Sequence, residues 1–381
     1  MRKLIKKWKD YKVYKMIIVF TSIESGGILQ LANQITESLE AIGQECILYV
    51  PKGSREECSS NLVGKIIEYN TPKTINPYNA NIKSLAKDIE GFNPDLLLIV
   101  DDAIRSNLLI NNIDKEITKV IFVHDVIPHL QEFSMRKYLV EKIRGIYRFS
   151  AFSATNKIVL LSKNSENKFI QKYGHYKNKR YVLPLGAHII PANKEMPIEL
   201  KDSLTSDFAL FFGRIDKYKG VDRLVEAHCA ACENEEYKIK LVIAGKNISK
   251  KPLNILQASH TLMLDRYISD GEMQWLFEHC KFVVLPYYEA SQSGVLPIAY
   301  KYGKPVIVSN ISGLKELVIS GKTGEVFSDT KDLENKLQLF ASTFHMNQNK
   351  SEIQNFYNEN YDWCKNLKRL IALVKKDIEE T

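Results

Sequence analysis

The chain lacks any apolar run near the roughly 20 residues that a membrane-spanning helix requires. Its longest are short stretches such as LLLIV, KIVLL and FVVLP. The basic start is followed by neither a continuous apolar core nor a small-residue cleavage site, so no signal peptide is read there. Cysteine is sparse, with six residues spread over 381. Only Cys229 and Cys232 lie close together, as CAAC beside His228 in the helical stretch VDRLVEAHCAACENEE. No second pair follows to complete a zinc site, which leaves small core and surface thiols, reduced, in a cytoplasmic setting. There is no GxGxxG dinucleotide fingerprint. No RNP-type strand or aromatic-interleaved basic sheet points to nucleic acid. No repeat with a period of about 20–50 residues points to a solenoid.

What is present is ordinary globular material: 45% hydrophobic, 26% charged, and long enough for two well-filled cores. The formal net charge of +8 is unevenly placed. Residues 1–16 hold Arg2, Lys3, Lys6, Lys7, Lys9, Lys12 and Lys15 against Asp10, with Leu4, Ile5 and Trp8 at helix-compatible spacing. A second cluster over 135–148 holds Arg136, Lys137, Lys142, Arg144 and Arg148 against Glu141. Both fit either a solvated surface or contact with anionic lipid, which attracts such segments at about 1 kcal/mol per basic residue.

Strands and helices alternate along the whole length. KVYKMIIVF reads as a strand ending near Phe20. TSIESGG leads into a helix in which Leu29, Ala32, Ile35, Leu39 and Ile42 recur at helical spacing, and Gly43 stops it. Gly26 and Gly27 at that turn permit close backbone approach and leave amides free for an anion, although tight packing explains such a pair equally well. Further strands are read at ECILYV, DLLLIV, KVIFVHD and KIVLLS. The stretch 186–206 breaks the rhythm with two prolines and mixed polar residues, marking an interdomain linker. A second series follows: FALFFGR, DRLVEAHCAACE, IKLVIAGK, TLMLDRYIS, EMQWLFEHC, FVVLP and PVIVSN. The tail is amphipathic, with Tyr361, Leu367, Leu370 and Leu373 on one stripe. Alternation of this kind predicts two doubly wound parallel sheets, with ligands at the carboxyl ends of their strands.

The richest segment is Lys281–Phe327, KFVVLPYYEASQSGVLPIAYKYGKPVIVSNISGLKELVISGKTGEVF. Strand, polar loop, short helix and strand form a βαβ unit that places Glu289, Ser293, Gly294 and Asn310 at strand ends. The segment resembles the donor-binding signature of retaining family-4 glycosyltransferases, which have the GT-B fold. The resemblance runs weakly through 13–185 and clearly through 207–327. It implies two Rossmann-like domains facing across a cleft. Residues 1–185 would be an acceptor-binding domain with a basic arm over 1–12. Residues 186–206 would be the linker, 207–355 the nucleotide-sugar-binding domain, and 356–381 a C-terminal helix packing back toward the N-terminal domain.

The resemblance also implies roles. In FFGRIDKYKGVDRLVEA, Arg214 and Lys219 match the residues that neutralise the donor diphosphate, with Gly213 and Gly220 allowing close approach. His124, in the HD…P pattern of VIFVHDVIPH, would face the donor sugar, with His129 as the alternate. Glu289 matches the first of two motif glutamates and would contact sugar hydroxyls. The second, a ribose anchor eight positions on, falls on Pro297, whose side chain accepts no hydrogen bond. Ser293, Gly294 and Val295 at a helix N-terminus, with Gly26 and Gly27, would bind the donor by backbone amide. Glu316 either contacts substrate or caps the next helix. Asp101 and Asp102 resemble the metal-binding pair of a GT-A transferase, but two alternating halves favour a turn after a strand, and no metal is required.

The implied activity is transfer of a sugar from a nucleoside diphosphate sugar to a hydroxyl of a lipid-linked glycan, with retention, on the inner face of the plasma membrane. A bacterial surface polysaccharide or lipopolysaccharide pathway would be the setting. Pro297 keeps a second reading open, a non-catalytic GT-B subunit that stabilises a partner transferase. A GT-B epimerase or phosphorylase is a third.

Overall fold

The computed structural model describes residues 14–62, 64–71, 80–127, 135–187, 193–204, 207–248, 260–342 and 350–380. The chain divides into two compact units. Unit 1 takes in the chain up to Pro184 together with Trp363 onward, and unit 2 is Leu185–Asp362. The basic arm over residues 1–12 and His129 lie outside the described residues.

Unit 1 runs β1 (Ile17–Phe20), α1 (Gly27–Ala41), β2 (Cys46–Pro51), β3 (Ile66–Tyr69), α2 (Ala80–Glu90), β4 (Leu96–Ile99), α3 (Ile104–Ile110), β5 (Thr118–Val123), α4 (Met135–Ala154), β6 (Lys157–Leu160), α5 (Lys163–Tyr173) and β7 (Arg180–Val182). All strands are parallel, in the order β3-β2-β1-β4-β5-β6-β7. The inner strands β1, β4, β5 and β6 are buried along their length. Covered on both faces by helices, they carry near-continuous apolar runs rather than an alternating pattern. The edge strands β3 and β7 are only partly buried and correspondingly mixed in sequence.

Unit 2 repeats the plan with β8 (Phe208–Phe212), α6 (Val221–Ala231), β9 (Lys240–Ala244), β10 (Thr261–Leu264), α7 (Asp270–His279), β11 (Phe282–Leu285), α8 (Val295–Lys301), β12 (Val306–Ser309), α9 (Ser312–Lys315), β13 (Gly324–Phe327), α10 (Thr330–Ala341) and α11 (Lys350–Asn360). Its parallel order is β10-β9-β8-β11-β12-β13. In each unit the chain builds outward on one side of the first strand, then returns to build on the other. The reversal falls between β1 and β4 in unit 1 and between β8 and β11 in unit 2. Loops leaving those strand ends diverge to opposite faces, and ligands of open α/β sheets bind in the crevice they leave.

Two expected boundaries differ. Residues 193–204 of the expected linker are part of unit 2: Leu200 is buried in its core, the Glu195 amide donates to the Gly271 carbonyl at 3.2 Å, and Arg266 joins Glu199 to Glu272. Pro197 precedes the short turn Ile198–Leu200 without detaching the segment. The expected helix over 356–381 is two. The first part is the end of α11, and Tyr361 packs in the core of unit 2. After Asp362 begins α12 (Trp363–Glu379), which packs on α1 with Leu367, Leu370, Ile371 and Val374 buried and Trp363 Nε1 donating to Gln34 Oε1 at 3.1 Å. Leu373, expected on the stripe, is only partly buried beside Val374. Among the described residues no helix is long and apolar enough to cross a membrane.

Candidate functional site

In unit 2 the loops at the reversal are held together by main-chain contact. The loop from β8 carries Gly213, Arg214, Lys219 and Gly220, and the loop from β11 carries Tyr287, Tyr288, Glu289, Ser293 and Gly294. The Tyr288 amide donates to the Tyr218 carbonyl at 2.8 Å. Gly220 has φ 63, a left-handed conformation, and a Cβ there would overlap the Pro286 carbonyl oxygen. Only glycine fits both the torsion and the space. The two loops therefore form one rim, and the cations of one belong with the carboxylate of the other.

Arg223, near the start of α6, fastens that rim. Its Nε donates to Pro286 O at 2.8 Å, and its Nη2 donates to Tyr287 O and to Ser309 Oγ at 2.9 Å. The guanidinium lies 4.3 Å from the centre of the Tyr288 ring and 5.0 Å from that of Phe327. Tyr288 in turn donates its hydroxyl to Asp222 Oδ2 at 3.1 Å. Lys219 Nζ sits 3.7 Å from the centre of the buried Tyr287 ring, which holds the ammonium without cancelling its charge. Arg214 is exposed and makes no ion pair among the described residues. Glu289 is exposed on the same rim.

Ser293 is buried and its Oγ receives the Val295 amide at 3.3 Å, so one amide of the α8 turn is already used. Gly294 is exposed and Val295 half-buried. Pro297 lies in the first turn of α8, where a missing N–H costs no helix bond, and is buried. A ribose contact from a side chain at that position is excluded by its burial as well as its chemistry. On the next loop, Asn310 follows β12 directly, and a Cβ on Gly313 would overlap the Ala290 carbonyl oxygen. Close packing of α9 onto the β11 loop explains this glycine. Glu316 is exposed at the end of α9.

In unit 1 Gly26 has φ 83 and caps α1, and added Cβ atoms on Gly26 or Gly27 would meet nothing within 4 Å. Torsion at Gly26, rather than tight packing, is what demands a glycine. The Gly26 amide lies 3.4 Å from Glu57 Oε2. His124, directly after β5, has Nε2 2.7 Å from the Val100 carbonyl. The acidic pair after β4 does more than close a turn. Asp101 accepts from the Thr21 hydroxyl, the Ser22 amide and hydroxyl, the Ala103 amide and the Ser106 hydroxyl at 2.6–3.0 Å, joining the β1 and β4 loops. Asp102 pairs with Arg144 and Arg148 of α4. Two of the five cations expected to face lipid over 135–148 are thus committed inward. The outward residues of α4 include Val140, Ile143, Ile146 (71% exposed) and Phe149 (56% exposed).

Among the described residues, no cluster of three or more His, Cys, Asp or Glu could hold a metal ion. His228 is fully buried, 3.1 Å from the Tyr237 hydroxyl through Nδ1. Burial raises the Cys229 thiol and pushes Cys232 up to about 11, so neither is a ready thiolate.

Residues 193–355 match the family model described as glycosyl transferases group 1. The chain carries a group 1 glycosyltransferase domain. The matched residues all fall within unit 2, Leu185–Asp362. An uncharacterized glycosyltransferase of Methanocaldococcus jannaschii is 27% identical over 262 residues, covering 67% of this chain and 69% of that protein. The capsular polysaccharide biosynthesis glycosyltransferase CapM of Staphylococcus aureus is 23% identical over 282 residues, covering 68% and 71%. The fold extends over both units. Anabaena HepE, solved in complex with UDP-glucose, superposes with a TM-score of 0.69 at 14% identity, covering 96% of this chain and all of that one. The transferase fold is GT-B, two α/β units each built on a parallel sheet.

Proposed function

We propose that the protein transfers a sugar from a nucleoside diphosphate sugar to a hydroxyl of a lipid-linked glycan, with retention of anomeric configuration, in cell-surface polysaccharide synthesis. The observation that carries this reading is the main-chain joining of the two loops that bear Arg214 and Lys219 on one side and Glu289 on the other. Arg214 and the ammonium over Tyr287 suit a diphosphate, whose charge grows as the bond to the sugar breaks. Glu289 suits sugar hydroxyls, and the backbone of the exposed Gly294 an oxygen of the same donor. In this reading Glu316 is a further substrate contact, and His124 and the Gly26–Gly27 turn are the contributions of unit 1. No residue need act as nucleophile, because the leaving diphosphate can take the acceptor proton on the face from which it departs.

HepE was solved with UDP-glucose and CapM is named for capsular polysaccharide biosynthesis, which supports a uridine donor and a surface glycan. The apolar outward residues of α4 support an acceptor held at a lipid surface. Pro297 favours one second reading, a non-catalytic subunit with the same fold. Calorimetry of the full chain against UDP-, GDP-, ADP- and dTDP-sugars separates them. One nucleotide family should bind, and Arg214→Ala should weaken it; heat from none would sink the enzyme reading.

A further inference from the structure

Arg148 is buried to 1% exposure, and a guanidinium so placed needs partners for its charge and its donors. The partners it has among the described residues, all through Nη2, lie at the carboxyl edge of the sheet of unit 1, while Nε has none there. Nη2 forms an ion pair with Asp102 and donates to the Asp125 carbonyl at 2.8 Å. The other carboxylate oxygen of Asp102 accepts from Arg144 Nη2 at 2.7 Å. Asn107 Nδ2 holds the Asp102 carbonyl at 3.0 Å.

These contacts and the chain itself close a loop that passes through His124. Asp125, gripped by Arg148, is the next residue in the chain. Val100, whose carbonyl lies 2.7 Å from His124 Nε2, is two residues before Asp102. A carbonyl oxygen only accepts, so Nε2 carries the proton and the lone pair of the neutral imidazole lies on Nδ1. An apolar pair of similar volume would fill the space at least as stably as the buried ions. What the ions add is direction: one planar group sets the β4 loop and the β5 loop against each other at fixed points.

We propose that Arg148, anchored by Asp102, is a positioning residue that holds His124 with Nδ1 presented as the acceptor for a substrate hydroxyl. The inference rests on the reading of His124 as a sugar contact. It assigns the selection of one imidazole tautomer to a buried ion pair whose members lie 22 residues before and 24 residues after His124 in the chain.

Histidine-selective 15N NMR of the full chain tests it, with His124 assigned by the signals that vanish in His124→Gln. Wild-type protein should show a single Nε2–H tautomer at His124. The double variant Asp102→Asn, Arg148→Met removes both charges of the buried pair, and Arg144 keeps its second partner, Glu141. It should fold, as judged by circular dichroism, yet show His124 as mixed or exchanging tautomers. With the donor that the nucleotide-sugar panel selects, its kcat should fall about 10- to 100-fold, the range that an ångström of misplacement causes, with donor KM nearly unchanged. A folded double variant with unshifted His124 resonances would overturn the proposal. Should that variant not fold, Arg148→Lys, which keeps the charge but grips at one point, is read by the same criterion. Full activity in His124→Gln would instead overturn the reading of His124 as a sugar contact, while the tautomer result would still judge the positioning.

Discussion

Replacing Arg223 by Met should loosen the rim of unit 2 without removing any residue proposed to touch substrate. The guanidinium supplies the Pro286 carbonyl with its side-chain donor at 2.8 Å and shares the Tyr287 carbonyl with Ser309. Ser309 Oγ, 3.1 Å from Leu285 O and 2.6 Å from Tyr287 O, has one proton and can serve only one of them. A charged donor to a carbonyl contributes about 1.5–3 kcal/mol, and the half-buried position argues for the lower part of that range. Loss of the cation over Tyr288 adds about 0.5–1 kcal/mol, while Met keeps part of the aliphatic packing. The sum is about 2–3 kcal/mol, or about 30- to 140-fold in the local opening equilibrium. Hydrogen exchange by mass spectrometry reads this directly, since the Tyr288 amide is bonded to Tyr218 across the two loops. Peptides over 286–294 should exchange faster by that factor while β9 stays protected. Unchanged protection at 286–294 would refute the strut, and loss of protection throughout unit 2 would show that Arg223 serves the core instead.

Arg214→Ala should weaken donor binding with almost no change in thermal stability, because the side chain is exposed and unpaired among the described residues. Lys219→Ala should do the same at a cost of about 1 kcal/mol for the lost contact with Tyr287; calorimetric melting together with donor titration checks both. His228 predicts acid sensitivity. Burial lowers it from 6.5 to about 4, so the native state keeps it neutral while the unfolded chain takes up a proton below its ordinary value. Stability is then full above pH 6.5 and lost progressively toward pH 4, by up to about 3 kcal/mol, from 1.36 kcal/mol per unit. Urea unfolding at pH 7 and pH 5 should show it, and a His228→Phe variant with the same pH slope as wild type would count against it. For the lipid surface, Ile146→Asp with Phe149→Asp should cut cosedimentation with anionic vesicles about 10-fold or more, since each apolar side chain is worth about 1.5–3 kcal/mol when fully buried. Binding carried by this face should persist in high salt, whereas binding through the basic arm should be screened away.

The plan of both sheets was legible because inner strands announce themselves. IIVF, LLLI, KVIFV, FALFF, FVVL and VIVS are buried but for the half-buried Phe212, and each is built on an apolar run of three or more residues. The edges β3, β7 and β13 were not legible, because half-exposed strands mix polar with apolar residues. The rim cations and Glu289 were reachable from the spacing of GR…KG and from a strand followed by a polar loop. Arg223 was not. Nothing in KGVDRLVEA marks its third helical residue as the one that crosses to two neighbouring strand ends, since such partners come from the fold. Asp102 and Arg148 were hidden for the same reason, so α4 read as more basic at its surface than it is. Gly220 was noted for slimness, but the demand on it comes from the carbonyl of Pro286, 66 residues later.

The last helix, α12, belongs to unit 1, although all of unit 2 lies between it and the rest of that unit. On a ribosome the earlier part of unit 1 emerges first and waits with α1 bare on the side that Leu367, Leu370 and Ile371 will cover. Unit 2 is then synthesised whole and has every segment it needs before unit 1 does. The unit that begins the chain is therefore the last to be completed. A premature stop anywhere after Asp362 would leave the later unit intact and strike the earlier one.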